Sequence, residues 1–153
     1  MKIHFICSGN TFRSRMAAAY LDSLKTNLKA SSSGIHADHN LNGVVTWYAQ
    51  RIFTYHDLLE FDKSKWDKTS KKMLNEADFV IFINDNHLDF CRQELGFTND
   101  NYEMWGIKDL NEMGFDLHNQ SLHRDMERIQ ASDMVFEQIK KRVDKLVEKY
   151  GNS

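Results

Sequence analysis

The feature that most constrains the fold is the alternation of strand-like and helix-like segments along the chain. The run Phe79–Ile83 is apolar at every position, which is typical of a strand buried on both faces of a parallel sheet. An earlier strand-like run, Lys2–Ile6, is followed by a polar loop and then by a segment with apolar residues at helical spacing. This alternation predicts βαβ units, with a parallel sheet and helices on both of its faces.

Four strands and a set of connecting helices are predicted in this way. The strands are Lys2–Ile6, Leu28–Ser32, Phe79–Ile83 and Tyr102–Ile107. The helices are Arg13–Leu24, Val44–Phe53, a short helix capped by Thr69 that runs through Ala77, His87–Leu95 closed by Gly96, and a C-terminal helix marked by Val135–Tyr150. Since the sequence contains no repeat and no linker-like tract, residues 1–153 are expected to form one three-layer α/β domain.

The segment Cys7–Ser14 follows the first strand, at the edge where parallel sheets place their sites. Gly9 and Asn10 tolerate left-handed backbone angles, so the loop can curl with successive N–H groups pointing inward. The helix that starts near Arg13 adds unsatisfied N–H groups, and the guanidinium can hold two oxygens of one phosphate. The predicted phosphate loop comprises Ser8, Gly9, Asn10, Thr11, Phe12, Arg13 and Ser14.

Cys7 is the candidate nucleophile of this loop. The inward N–H groups and Arg13 favour a thiolate, which is the reactive form of cysteine, and Ser14 can donate a hydrogen bond to it. The alternative is that Cys7 is a small buried apolar residue at the end of a strand. The Walker pattern GK[ST] is absent from the sequence, which argues against nucleotide hydrolysis.

Charge and cysteine content argue against several other classes of protein. The net charge of -2 is unlike that of a general nucleic-acid binder. Cys7 and Cys91 are too few for a disulfide framework or a cysteine-rich zinc site, and the His and acidic residues show no metal-ligand spacing. The sequence has no apolar run near the roughly 20 residues of a membrane span and no signal-peptide pattern. We therefore expect a cytoplasmic protein without a cofactor or metal, which binds neither nucleic acid nor membrane.

The loop sequence CSGNTFRS resembles the signature of the low-molecular-weight protein tyrosine phosphatase family, written CxGNxCRS. Weaker similarities follow at Ser32–Gly34, Leu74–Ile81, Asn84–His87 and Tyr102–Asp109. The resemblance implies a four-stranded parallel sheet flanked by helices. It also implies that phosphotyrosine in protein substrates is hydrolysed through a phosphocysteine intermediate, and that inorganic phosphate and other oxyanions bind in the loop.

Such a reaction needs a proton donor for the leaving atom and then a base for the attacking water. By resemblance this group is Asp109. The Pro and the aromatic residue that usually follow the acid in the family are replaced here by Leu110 and Asn111. Asp116 is the rival, and Asp109 is preferred because the strand-like run that leads into it is the better context.

Two features of the sequence bear on the substrate. Phosphotyrosine is the default of the family, but members with Thr at the position of Thr11 resemble bacterial protein arginine phosphatases, so phosphoarginine is the alternative. Trp47, Tyr48 and Phe53 are candidates for walls around a tyrosine ring, although core packing is expected for at least one of them.

Two further functions compete with a protein phosphatase. Thioredoxin-linked arsenate reductases on this fold need two cysteines in addition to the nucleophile to relay a disulfide. This chain has one additional cysteine, Cys91, which argues against that function. The other alternative is a non-catalytic module that binds phosphoproteins. The retention of Cys7, Arg13 and a plausible Asp argues against it.

Three further positions depart from the family pattern. Phe12 replaces a second Cys that many members carry, which closes the route to a protective disulfide with Cys7. Arg15 replaces the usual Pro after the signature; a basic residue there could favour acidic or phosphorylated surfaces, but a solvated helix start is the commoner explanation and is expected. The His that often precedes the third strand has no match in Ser64–Lys68, so support of the loop is expected to differ.

Overall fold

The computed structural model describes residues 1–39, 43–113 and 122–151 of the chain. The strands are β1 (Lys2–Cys7), β2 (Lys29–Gly34), β3 (Phe79–Phe82) and β4 (Tyr102–Met104). The helices are α1 (Arg13–Ser23), α2 (Trp47–Tyr55), α3 (Lys71–Glu76), α4 (Asp85–Leu95) and α5 (Leu122–Tyr150), with short 3-10 turns at Ala37–His39, Leu59–Phe61 and Asn111–Met113. Each predicted strand and helix corresponds to one of these elements.

The four strands form one parallel sheet in the order β2-β1-β3-β4. Ile3 of β1 is paired with Ala30 on one side and with Phe79 on the other, so β1 and β3 are the inner strands. Because all strands run in the same direction, their carboxyl ends lie along one edge. Cys7 is level with Gly34 at that edge, where parallel sheets place their sites.

The two faces of the sheet bury separate apolar clusters. Side chains alternate along a strand, so Ile3 and Phe5 point to one face and Ile6 points to the other. The first face packs against α1, α2 and α5, and the second packs against α3 and α4. The predicted α/β fold with three layers and a four-stranded parallel sheet is thereby confirmed.

Two helices begin where a capping side chain sets their first turn. α2 begins at Trp47 rather than Val44, because the Thr46 hydroxyl accepts a hydrogen bond from the third N–H beyond it. α3 is capped by Ser70 and not by Thr69, since the Ser70 hydroxyl accepts a hydrogen bond from within the helix. Both differences are local, and neither changes the topology.

Among the other boundaries, the largest differences from the prediction are at β4 and α5. β4 ends at Met104 instead of Ile107, and Gly106 has a φ of 73°, a left-handed conformation that turns the chain toward the site. α5 already begins at Leu122, well before Val135. Among the described helices, none is long and apolar enough to cross a membrane.

Candidate active site

The segment between β1 and α1 forms a tight loop, as predicted. Asn10 has a φ of 56°, a left-handed conformation that Asn adopts more readily than most residues. Gly9 does not have a positive φ, contrary to the prediction. A Cβ at Gly9 would lie 3.4 Å from Thr11 Oγ1, which is an ordinary contact. The single left-handed residue Asn10 therefore suffices to turn the loop.

The Cys7 thiol is buried inside this loop. Its Sγ lies 2.8 Å from Ser14 Oγ, and the backbone N–H of Asn10 donates to the same sulfur at 3.3 Å. Asn10 Nδ2 also donates to Ser14 Oγ at 2.8 Å, so the hydroxyl proton of Ser14 is left for Cys7 Sγ or for the Ser33 carbonyl, 3.3 Å away. Hydrogen bonds from Asn10 and Ser14 can thus both stabilise negative charge on the sulfur.

The β2 side of the loop is held by groups that the sequence did not indicate. The Asp67 backbone N–H donates to Asn10 Oδ1 at 3.0 Å, and the Asp67 carbonyl accepts a hydrogen bond from Gly34 at 2.9 Å. A Cβ on Gly34 would lie 2.6 Å from Ser8 O and 2.7 Å from Asn10 N, so the loop can approach β2 this closely only at a glycine. The Asp67 backbone therefore supports the loop on this side, through Asn10 and Gly34.

Arg13 reaches from α1 to the β4 side of the site. It is 3% exposed, and its Nη1 donates to the Ile107 carbonyl at 2.8 Å. Its Nη2 lies 3.9 Å from Asp109 Oδ2, and Nη1 lies 3.9 Å from Glu112 Oε1. The structure thus brings Arg13 and Asp109 together, whereas the rival acid Asp116 lies outside the described residues.

Glu112 is a second carboxylate at this site, which the sequence analysis missed. Its Oε1 accepts a hydrogen bond from the Asp109 N–H at 3.2 Å, and its Oε2 accepts one from Asn84 Nδ2 at 3.2 Å. The sequence Asp-Leu-Asn-Glu offered the signal, because a Glu three positions after an Asp can accept a hydrogen bond from that residue's N–H at the start of a helical turn. Only this half of a capping box forms before the turn Asn111–Met113, since Asp109 Oδ1 accepts a hydrogen bond from the adjacent Leu110 N–H at 2.9 Å.

A fully buried histidine supports the loop from the β3 side. His87 Nδ1 accepts a hydrogen bond from Asn84 N–H at 3.0 Å, and Nε2 lies 2.9 Å from Ser8 Oγ. Because Nδ1 is an acceptor, the ring proton is on Nε2 and is donated to Ser8. Burial, and then the positive charges of Arg13 and His36, lower the pKa of His87 to about 3, so the ring is neutral.

Two of the three candidate aromatic residues lie beside the loop. Tyr48 packs edge-on against Phe12 with ring centroids 5.0 Å apart, and Trp47 packs edge-on against Tyr48 at 5.5 Å. Burial, and then the carboxylate of Asp109, raise the pKa of Tyr48 to about 12. Phe53 is fully buried in the core, so the prediction that it could form a wall around the substrate ring was wrong.

The prediction for Arg15 and the prediction for Cys91 compare differently with the structure. The expectation of a solvated Arg15 was wrong, because this side chain is 2% exposed and its guanidinium is bound by Asp62, Val44 and Lys63. Cys91 lies on α4, fully buried against the sheet, and burial raises the pKa of its thiol to about 12. It is a packing residue, as predicted.

Within residues 1–39, 43–113 and 122–151, no group of three or more His, Cys, Asp or Glu side chains could hold a metal ion. Every buried side-chain N or O atom of the same residues has a hydrogen-bond partner.

Several solved phosphatases have the same fold. A low molecular weight protein tyrosine phosphatase from T. tengcongensis has a TM-score of 0.75 at 18% identity, over 97% of this chain and 99% of that one. The tyrosine phosphatase Wzb from Escherichia coli K30, in complex with sulphate, has a TM-score of 0.76 at 18% identity, over 98% of each chain. A mutant of the YwlE arginine phosphatase, from Bacillus subtilis, with a phosphorylated active-site serine, has a TM-score of 0.68 at 22% identity, over 98% of this chain and 97% of that one.

No curated protein sequence matches the chain significantly. The family model described as low molecular weight phosphotyrosine protein phosphatase matches residues 2–152, which is nearly the whole sequence. This match includes the loop between β1 and α1 and the strands that carry its partners. The chain therefore belongs to the low molecular weight phosphotyrosine protein phosphatase family.

Proposed function

We propose that this phosphatase hydrolyses phosphotyrosine in proteins through a phosphocysteine on Cys7. The observation that carries the proposal is the setting of the Cys7 sulfur, which faces the Asn10 N–H and the Ser14 hydroxyl at the start of a helix. Arg13 lies at the same helix start and pairs with Asp109, so a cation and a candidate acid adjoin the loop. This arrangement fits a thiolate that attacks a bound phosphate.

In the first step, the phosphate oxygens accept hydrogen bonds from the loop N–H groups of Ser8–Ser14 and from the Arg13 guanidinium. The Cys7 sulfur attacks phosphorus, and the bond from phosphorus to the tyrosine oxygen breaks. Asp109, in its protonated form, gives its proton to the leaving oxygen. The products are a neutral tyrosine and a phosphocysteine.

In the second step, the Asp109 carboxylate accepts a proton from water. The water oxygen attacks phosphorus, the bond from sulfur to phosphorus breaks, and Cys7 leaves as a thiolate. Inorganic phosphate is released and Asp109 is again protonated. Ser14 and the Asn10 N–H stabilise the thiolate at the beginning and end of this cycle.

The entrance to the loop supplies contacts for the side chain that carries the phosphate. Trp47 is 46% exposed and packs against Tyr48, so its ring can contact a substrate tyrosine without unfolding the site. Partners are therefore phosphorylated proteins. We also propose that residues 1–153 form one domain and act in the cytoplasm, where a catalytic thiol remains reduced.

Phosphoarginine is the second candidate substrate. Two observations favour it: Thr11 is buried in the loop, and Glu112 adds a second carboxylate beside Arg13 and Asp109. Two carboxylates suit a cationic guanidinium leaving group better than a neutral phenol. The solved YwlE arginine phosphatase shares the fold.

The deciding experiment compares phosphotyrosine and phosphoarginine versions of one peptide. We expect the larger kcat/KM on phosphotyrosine, turnover that survives EDTA, and competition by phosphate and vanadate. Thr11→Ile is the companion variant, which should lower activity on phosphoarginine more than on phosphotyrosine. A larger kcat/KM on phosphoarginine would select the second candidate, and no turnover of either peptide or of para-nitrophenyl phosphate would reject both.

A further inference from the structure

Arg15 is a buried cation that takes no part in these steps. It follows Arg13 by two residues in α1 and is 2% exposed. A buried guanidinium is costly unless its charge is paired and its N–H groups are hydrogen-bonded. The partners of Arg15 therefore indicate which parts of the molecule it holds.

Three donors of the guanidinium bind three different groups. Nε donates to Asp62 Oδ1 at 2.6 Å, Nη1 donates to the Val44 carbonyl at 2.6 Å, and Nη2 donates to the Lys63 carbonyl. The Asp62 side chain is 10% exposed and supplies the compensating charge. All three partners lie outside the phosphate loop, so Arg15 acts on the segments beside the loop.

One of these segments, Val44–Trp47, borders the loop. The Thr46 N–H donates to the Thr11 carbonyl at 3.3 Å, and Thr46 also caps α2. Trp47 follows directly with a half-exposed ring. Because Arg15 holds the carbonyl of Val44, it sets the distance between this segment and α1, and with it the position of the Trp47 ring.

The second segment, Asp62–Asp67, has additional bonds of its own. Lys63 Nζ donates to the Ser32 carbonyl at 2.7 Å and to Asp67 Oδ2 at 3.0 Å. The Asp67 backbone binds Asn10 and Gly34 without any contribution from Arg15. Loss of the guanidinium is therefore expected to displace Val44–Trp47 more than the groups that support the loop.

We propose that Arg15 is a positioning residue that fixes Val44–Trp47 and thereby determines affinity for the protein substrate, while affinity for the phosphate group is set by the loop. This inference rests on the proposed function of the same site. The substrate chain and the residue that carries the phosphate contact the wall that includes Trp47, and a displaced wall weakens that contact in the bound substrate. The loop hydrogen bonds to phosphate stay in place.

The test is the double variant Arg15→Met/Asp62→Asn, which removes the guanidinium without leaving an unpaired carboxylate. We expect KM for a phosphotyrosine peptide to rise about tenfold, with kcat and the inhibition constant of inorganic phosphate within about twofold of the wild-type values. Arg92→Met is the matched control, because Arg92 is exposed on α4 and donates to the Tyr102 hydroxyl. It should leave all three quantities unchanged.

Two results would overturn the inference. A rise in the inhibition constant of phosphate that equals the rise in KM would show that Arg15 supports the loop itself. An unchanged KM for the peptide would show that Arg15 does not position any group that contacts the substrate. Failure of wild-type turnover is a different result, since it would reject the proposed function before any variant is compared.

Two further variants keep the test decisive if the double variant does not fold. Arg15→Lys can pair with Asp62 but cannot reach both carbonyls as well, so it should show the same selective rise in KM. A wild-type KM in this variant would contradict the inference. Trp47→Ala should also raise KM, and the combined change at Arg15 and Trp47 should be less than the product of the two separate changes. Fully multiplicative effects would show that Arg15 does not act through Trp47.

Discussion

The two halves of the active site are built differently. The predicted phosphate loop is buried over residues 10–14, and one residue, Asn10, binds Cys7, Ser14 and the Asp67 backbone. The turn after β4, which carries the proposed acid, is open to solvent, with Asp109 and Glu112 side chains 31% and 43% exposed. The fold therefore fixes the proposed phosphate site, whereas the position of the proposed acid depends on a few local hydrogen bonds. Changes in the loop should affect every substrate, and changes in the turn should depend on the leaving group.

Cys7→Ser should have the largest effect. A serine hydroxyl is nearly isosteric but is not ionised at neutral pH, so turnover of all substrates should fall at least about ten-thousand-fold. Phosphate affinity should stay within a few-fold, because the loop N–H groups and Arg13 remain. Steady-state kinetics with para-nitrophenyl phosphate and calorimetric titration with phosphate measure the two quantities. Wild-type turnover in this variant is incompatible with a cysteine nucleophile.

Asp109→Asn should have the next largest effect, and only where the leaving group needs a proton. Tyrosine leaves with a phenol pKa of ~10, so hydrolysis of a phosphotyrosine peptide should fall roughly a hundredfold or more. With an aryl phosphate whose phenol is very acidic, the rate of the phosphorylation step should fall far less. Slow breakdown of the phosphocysteine should then produce a pre-steady-state burst.

Asp116→Asn is the control for this assignment. In this variant, the dependence of the hydrolysis rate on the leaving group should be the same as in the wild type. If Asp116→Asn shows the selective loss and Asp109→Asn does not, the acid lies on the other residue and the proposed pairing of Arg13 with the acid is wrong.

The neutral ring of His87, which supports the phosphate loop, should make the stability of the protein depend on pH. The pKa of His87 is about 3 in the folded protein and near 6.5 in the unfolded chain, so between these values only the unfolded chain binds the proton. The stability from the neutral ring is complete above pH 6.5 and is lost as pH falls toward 3, by up to about 1.4 kcal/mol per pH unit. Urea unfolding at pH 7, 6 and 5 should show a smaller decline in the free energy of unfolding for His87→Gln than for the wild type. An equal decline in both proteins would refute this role.

Glu112→Gln should have the smallest effect. The amide oxygen can still accept the hydrogen bond from Asp109 N–H, whereas the negative charge and the hydrogen bond from Asn84 Nδ2 are lost at an exposed site. We expect kcat/KM on a phosphotyrosine peptide to change by about two- to fivefold, with phosphate inhibition unaltered. A large change in phosphate inhibition would mean that the turn contributes to the phosphate site, and the contrast between the two halves would fail.

The strands and the loop could be predicted because their signals are local. The apolar run of β3 and the sequence around Asn10 both act over a few residues. The position of Arg13 at the helix start follows from the same local pattern. The predicted fold class, sheet and loop therefore agree with the structure.

The groups that support the site could not be predicted, because they come from distant parts of the chain. Asp67 binds a residue 57 positions away, and His87 binds one 79 positions away. Arg15 shows the same limit: a basic residue at a helix start normally faces solvent, and its burial depends on Asp62 and Val44, which no periodicity links to it. Glu112 was the exception, since its position three residues after Asp109 was a visible signal for the hydrogen bond to the Asp109 N–H.

Formation of phosphocysteine on Cys7 tests the mechanism most directly. A phosphotyrosine peptide with labelled phosphate is mixed with the enzyme, quenched in acid within milliseconds and digested for mass spectrometry. We predict that the label is on the peptide that contains Cys7, that Asp109→Asn accumulates more of it with an activated aryl phosphate, and that Cys7→Ala gives none. Steady turnover with no label on Cys7, or with the label on another residue, would contradict the mechanism.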